Sequence, residues 1–353
     1  MAAKFDFSKF TFTAEQIRDV KELLFDEILQ APELASIHTM FSGIVYDKEI
    51  GFVGEGGLVG KAAQGCNPTP QDWNIGSRKV VWTPKSWEIL IEECAKDLES
   101  TMAVYCLNTG VARHDLTNTD YMVIVAQVLS VAIKKMLIRI TWFGATDATN
   151  VSDDDTPGII TDGVDVGYFT LIDGFFKQIQ SAMTEHPEHL VTIAANAKTT
   201  KAEQMAITGD DAYDILTKMY YKAPVTMRAN MRFLVTQSLA DAYQQYLTGK
   251  NLESTYKNLV DGVPSLSLLG VPVIPMPIWD EMIQSYNDLG TKYSYPHRAV
   301  LVEQATLAIG TPSDGALEDV DIYYDKMSRK NRLEASDQID AKLLHDVRLI
   351  YAQ

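Results

Sequence analysis

Cysteine is scarce. Cys66, Cys94 and Cys106 are the only three in 353 residues, and none forms a CxxC pair. That excludes a disulfide framework and a zinc ribbon as the organising device, and it agrees with a reducing compartment. Basic charge is also short: 31 Lys and Arg stand against 47 Asp and Glu, a net charge of −16. Such a chain does not neutralise phosphates over a broad surface, so sequence-directed nucleic-acid binding is not expected. The N-terminus, MAAKFDFSKF, has no apolar core of a secretory signal. No internal repeat or low-complexity run stands out.

Catalytic signatures are missing too. A P-loop ending at Gly60-Lys61 needs glycine at 55 and a hydroxyl at 62, where Glu55 and Ala62 stand. A dinucleotide fingerprint starting Gly54-x-Gly56 needs glycine at 59, where Val59 stands. His186-Pro-Glu-His189 has the ligand types for a metal, but proline breaks the helical spacing and no third ligand is near; a solvated helix end is the plainer reading. Asp153-Asp154-Asp155 lacks the alternating ligands and central glycine of a calcium loop. No G-x-S-x-G elbow occurs. No catalytic residue, cofactor or metal is assigned.

What is present is a long beam. Leu116 to Phe143 is the longest apolar-rich segment, with neither Gly nor Pro, and Gly144 follows it. Asn118 or Thr119 can cap its start. Asp120 near the start and Lys134, Lys135 and Arg139 near the end suit the helix dipole. The uncharged run Tyr121–Ile133 is shorter than the ~20 residues of a membrane span, so a buried helix is expected and no membrane contact.

Upstream, residues 1–12 carry Phe5, Phe7, Phe10 and Phe12 in alternation with polar residues. This is an arm whose rings need a foreign surface. Thr13 with Gln16 opens a helix with Ile17, Val20, Leu24 and Ile28 at helical spacing, and Pro32 stops it. Residues 43–83 read as a projecting hairpin: short strands at Ile44–Tyr46 and Ile50–Val53, a returning strand at Ser77–Trp82, and a glycine-rich excursion between. That excursion carries Leu58, Val59, Trp73 and Ile75, residues that disordered linkers lack. Trp73, Trp82 and Trp87 crowd its root as packing residues.

Pro84 is read as opening a helix with Trp87, Ile91 and Cys94. A turn-rich boundary, GATDATNVSDDDTPG, follows the beam, and Tyr168–Met183 reads as a helix with Phe169, Ile172, Phe176 and Ile179 on one face. From Leu190 a compact α/β unit is expected. Asp210 or Asp211 caps one helix, Arg232–Thr236 is a strand, and Ser238 caps another helix ending near Gly249. Val271–Ile274 is a prolyl-flanked strand expected at a sheet edge or end. Arg298–Val302, Asp319–Asp325 and the alternating Val347, Leu349 and Tyr351 complete the strands.

This order of elements resembles the major capsid protein of tailed bacteriophages. The WFGATDAT after the beam is similar to that family's small-residue turn, and LLGVPVIPMP (268–277) is similar to its late axial strand. The tail from Leu317 looks like its closing strand, charged turn and final strand. The resemblance implies an α+β capsid-type fold. Its parts would be an N-terminal arm (1–42), an extended two-stranded loop (43–83), a peripheral domain (84–189) with a spine helix (116–143), an axial domain (190–300) and return strands (301–353).

It also implies a structural, non-enzymatic shell of hexamers and pentamers around packaged DNA, assembled in the host bacterial cytoplasm and residing in the virion. Implied partners are other copies, a portal, minor or decoration proteins and a separate scaffolding protein, the last because the chain begins directly at the arm. Candidate inter-subunit contacts are Phe5, Phe7, Phe10, Phe12, Leu58, Val59, Lys61, Trp73 and Ile75. Some members crosslink Lys to Asn beside a carboxylate; Lys61, Asn331 and Glu334 supply the residue types, with ordinary surface roles as the plainer reading. The alternatives are a bacterial nanocompartment shell, a virion tail or baseplate component, and a nucleotide- or metal-dependent enzyme using Gly54–Lys61 or His186/His189.

Overall fold

The computed structural model describes residues 34–53, 77–93, 120–150, 158–250, 258–260, 263–312, 321–328, 330–345 and 348–353. After a single turn at Leu34–Ile37 come strands β1 (Thr39–Phe41), β2 (Lys48–Val53), β3 (Ser77–Trp82) and β4 (Lys85–Glu93). The long helix α1 (Asp120–Phe143) leads to the small pair β5 (Thr149–Asn150) and β6 (Ile159–Ile160) and to α2 (Phe175–Glu185). Next are β7 (Leu190–Val191), α3 (Gly209–Lys222), β8 (Met231–Val235) and α4 (Gln237–Gly249). Then follow β9 (Asn258–Val260), β10 (Val263–Leu268), β11 (Val271–Pro275) and α5 (Pro277–Tyr286). The chain closes with β12 (Ala299–Glu303), β13 (Leu307–Gly310), β14 (Asp321–Asp325), β15 (Lys330–Leu343) and β16 (Leu349–Ala352).

α1 has 24 residues, about 36 Å at 1.5 Å each. Leu129, Ile133, Leu137 and Ile140 recur at helical spacing and are buried. The polar residues leave by the other side: Lys135 Nζ lies 2.8 Å from Glu281, and the Arg139 guanidinium lies 5.5 Å from the rings of Tyr168 and Phe169. The helix stops where Gly144 meets the chain that enters α2. A Cβ on Gly144 would stand 2.4 Å from the Ile140 carbonyl oxygen and 2.5 Å from that of Ile172. The Gly174 amide donates to the Gly144 carbonyl at 2.8 Å. This backbone-to-backbone approach brings Trp142 within 5.1 Å of Phe176 and 4.5 Å of Trp279, ring centre to ring centre.

Two sheets share this core. One runs β1-β13-β15-β14, with β4 also on β15; the other runs β7-β16-β12-β8-β11-β10-β9. The second sheet is a partition. Leu234, Val300, Val302, Leu349 and Tyr351 face the core with α1, α2 and α5. Phe233, Val235, Ala299, Leu301 and Ile350 face a second core with α3 and α4. Burial on both faces explains why these strands are uninterrupted apolar runs.

Several expectations are revised. Residues 85–93 form a strand, not a helix: Trp87, Ile89 and Ile91 alternate with Glu88, Leu90 and Glu92, and nine residues pair with β15. Ile44–Tyr46 is not a strand, although the Ile44 amide donates to Thr311 at 3.0 Å. α2 begins only at Phe175, after a 3-10 turn at Val166–Tyr168, yet Phe169, Ile172, Phe176 and Ile179 are all buried as expected. β11 lies inside its sheet, between β8 and β10. Its ladder with β8 starts at Val273, one residue past Pro272, so the missing amide does not interrupt it. The cap of α3 is Thr208, closing a capping box with Asp211. At α4 the cap comes from outside the helix: Asp280 accepts the Gln237 amide at 2.6 Å. The Thr13 helix and the start of the long helix at 116–119 lie outside the described residues.

Gly144→Ala should cost about 2–4 kcal/mol, because its Cβ meets backbone that cannot swing aside; chemical denaturation measures it. Asp280 gives a pH test. Burial raises its carboxyl above the ordinary value, against the amide bonds it accepts. Its stabilising contribution is therefore complete at acid pH and is lost as pH climbs through the raised value. Asp280→Asn keeps an acceptor and does not ionise. Urea titrations from about pH 4 upward should show the wild type losing more stability with pH than the variant.

Candidate assembly surface

The predicted contact residues Phe5, Phe7, Phe10, Phe12, Leu58, Val59, Lys61, Trp73 and Ile75 lie outside the described residues. What the structure describes is the chain that flanks the segments carrying them. Downstream of the N-terminal segment, Ile37 and His38 are buried. The His38 ring stacks on Phe175 at 5.2 Å and tilts against Trp142 at 5.6 Å. The Arg232 guanidinium donates to the Ser36 carbonyl at 3.1 Å and to that of Ile37. Gln304 donates to the His38 carbonyl at 3.3 Å, and β1 pairs parallel with β13. This stretch is tied to the end of α1.

β2 and β3 form a two-stranded antiparallel ribbon from Lys48↔Trp82 to Val53↔Ser77. Neither pairs with another described strand. Glu49 and Lys79 form an ion pair across it. Its root is rigid. Trp82 is fully buried with Ile44, Ala308 and Leu344, and it lies over Gly310, where a Cβ would stand 2.8 Å from the indole. One residue on, the Thr83 amide donates to Asp340 at 2.7 Å. Burial pushes the Asp340 carboxyl up, and Lys342, 3.3 Å away, opposes that rise. The base of the ribbon is thus clamped to β13 and β15.

The outer face of the β4–β15–β14 ladder is ionic. Glu92 pairs with Lys330, and with Arg332 at 2.9 Å; Arg332 also reaches Asp325 at 3.2 Å. Lys330 first, and then Arg332, hold the Glu92 carboxyl below its usual range against desolvation, which raises it. Leu90 is exposed beside them. This ladder was missed in the sequence, although the period-two alternation from Trp87 to Glu92 carried its signal.

Of the three residue types for a crosslink, Lys61 lies outside the described residues, and Asn331 and Glu334 do not come together. Asn331 lies in β15 and is fully buried rather than superficial. Glu334, three residues along the same strand, is exposed on the opposite face and accepts the Tyr323 hydroxyl at 3.0 Å. His186 and His189 stack at 5.7 Å, and Glu188 Oε1 lies 3.3 Å from His186 Nδ1 and 4.0 Å from His189 Nε2. Among the described residues no group of three or more His, Cys, Asp or Glu side chains could hold a metal.

One pair has the look of a nucleophile and base: Ser238 Oγ lies 2.8 Å from His297 Nδ1. His297 is fully buried, and its Nε2 lies 2.7 Å from the Gln204 carbonyl oxygen. Burial lowers its pKa, opposed by that backbone bond. Asn196 accepts the His297 amide at 3.0 Å and donates to its carbonyl at 2.8 Å. The imidazole is a satisfied strut between the segments around it, closed to a substrate. Arg298 is a second strut: its guanidinium lies 4.5 Å from the Phe176 ring centre and donates to the Ser294 and Tyr295 carbonyls at 3.0 and 2.9 Å.

No protein-family model matches the sequence, and no curated protein matches it. Solved structures do. A chain from the capsid of cyanophage P-SCSP1u is 10% identical, the match covering 99% of this chain and 92% of that one, with a TM-score of 0.53. A chain from Gordonia phage Cozz is 11% identical over 90% of this chain and 85% of its own, also at 0.53. A chain from Mycobacterium phage Adephagia is 10% identical over 98% of both, at 0.50. At these identities the likeness is one of fold. The fold of this chain, with its clamped ribbon, long helix and partitioned two-sheet body, is thus similar to that of a phage capsid chain along nearly its whole length.

Proposed function

We propose that this chain is the major shell subunit of a phage head, with a structural and non-enzymatic role. One observation carries the reading: a likeness of fold to a capsid chain over 99% of the sequence, projecting ribbon and long helix included. A second supports it. A two-stranded ribbon is marginal alone in water, so one that projects from a clamped root needs a surface on another molecule. The net charge of −16 suits a wall that does not grip packaged DNA.

In this reading residues 1–42 are the arm and 43–83 the extended loop. Residues 84–189 form the peripheral domain around α1, 190–300 the axial domain, and 301–353 the return strands. Copies associate as hexamers and pentamers and close into a shell in the host cytoplasm. A separate scaffolding protein, a portal and minor or decoration proteins complete the virion. DNA is enclosed without sequence-specific contact. The mechanism is geometric, with many modest interfaces summing over a closed surface.

Electron microscopy of the concentrated protein, with and without co-expressed scaffold, tests this. Closed shells or flat hexamer sheets are expected; monomers or dimers under every condition would overturn it. The loop has its own test. Val53 and Ser77 are paired, so an Asn-Gly turn can replace residues 54–76 and close the hairpin. This variant should stay soluble, keep its melting temperature within a few degrees and form no closed particles.

A further inference from the structure

A cavity of about 30 Å³ lies beside Gly144, where α1 gives way to the chain entering α2. Trp142 and Phe176 are among its apolar walls, and Asn287 and Arg298 bring buried polar groups to it. Asn287 is 6% exposed and Arg298 7%.

Each of these two side chains has an unspent hydrogen-bonding atom. Asn287 follows α5, and its Nδ2 donates to the Ile159 carbonyl at 2.7 Å. Its Oδ1 is buried and has no partner among the described residues. Flipping the amide does not help, because Oδ1 would then face the Ile159 carbonyl, which can only accept. Arg298 precedes β12. Its Nε and Nη2 donate to the Tyr295 and Ser294 carbonyls, and its Nη1 donates to no atom of the described residues. Its charge rests against the Phe176 ring, 4.5 Å from the ring centre. A core that leaves an amide oxygen and a guanidinium N–H bare forfeits the hydration of both.

The two unspent atoms select the occupant. A metal cation would meet the charge of Arg298. An anion would be set against the lone pairs of Asn287 Oδ1. A neutral molecule that both accepts and donates suits the pair, and the space admits only a very small one, since one water takes roughly 10–15 Å³ of it. Apolar cavities stay dry, but this one has further polar groups on its wall, from Ser294 and from Lys177, whose ammonium is already held by Asp147 and Asp173.

We infer that a buried water occupies this cavity, accepting from Arg298 Nη1 and donating to Asn287 Oδ1, and so joins the end of α5 to the start of β12 beside the Gly144 junction. The contact is internal to one chain and stands whether or not copies assemble.

A density map of the unaltered protein, at a resolution where ordered waters are seen, tests it directly. A peak is expected within about 2.7–3.2 Å of both atoms. No peak there, or a peak bonded to one of the two side chains alone, would overturn the bridge. A double-mutant cycle in urea gives a second readout. Asn287→Ala also loses the bond to Ile159, and Arg298→Met keeps an apolar stem against Phe176; effects private to either residue cancel in the cycle. No direct bond joins the two side chains, so without the water their effects on the folding constant should simply multiply. With it, the double variant should be at least about threefold more stable than that product. Effects that multiply would overturn the bridge. If either variant fails to fold, the map of the unaltered chain still decides.

Discussion

Two peptide backbones touching at Gly144 and Gly174 set the geometry of this protein. A hydrogen bond of 2.8 Å joins them, and neither position has room for a Cβ. Because the end of α1 and the start of α2 come this close, Trp142, Phe175, Phe176 and Trp279 can interlock. His38 then packs on the same aromatic group, which ties the chain just before β1 to the far end of the long helix. Packing at this density transmits displacement rather than absorbing it.

The second constraint is the shared sheet. β8, β12 and β16 bury both faces, so the two cores cannot move apart without exposing apolar surface on one side or the other. Their polar contents are struts. Arg298 sits over Phe143 and Phe176 and donates to two carbonyls, and His297 is held by Asn196, Gln204 and Ser238. A buried cation or imidazole satisfied in this way specifies one arrangement of the segments around it.

Much of this frame was legible. The break-free run before Gly144 marked the long helix, and the buried face of Phe169, Ile172, Phe176 and Ile179 was read correctly, although α2 starts six residues after Phe169. The returning strand Ser77–Trp82 and its pairing with a strand near Ile50 were also readable. The failures share a cause. Trp87, Ile91 and Cys94 fit a helical period as well as Trp87, Ile89 and Ile91 fit a strand, and only pairing with β15 decides between them. The Glu92–Lys330 contact spans 238 residues. A carboxylate on α5 that caps α4 likewise sits 43 residues from its target amide.

Sequence alone determined where the long helix ends and where the returning strand of the ribbon lies, because these follow from local sterics, periodicity and residue type. Tertiary structure alone decided which faces are covered. It turned residues 85–93 into a strand, buried both sides of the partition sheet and set Asn331 and Glu334 on opposite faces. The physical reason is that a strand's faces and edges acquire meaning only from partners far along the chain, whose position no local pattern encodes.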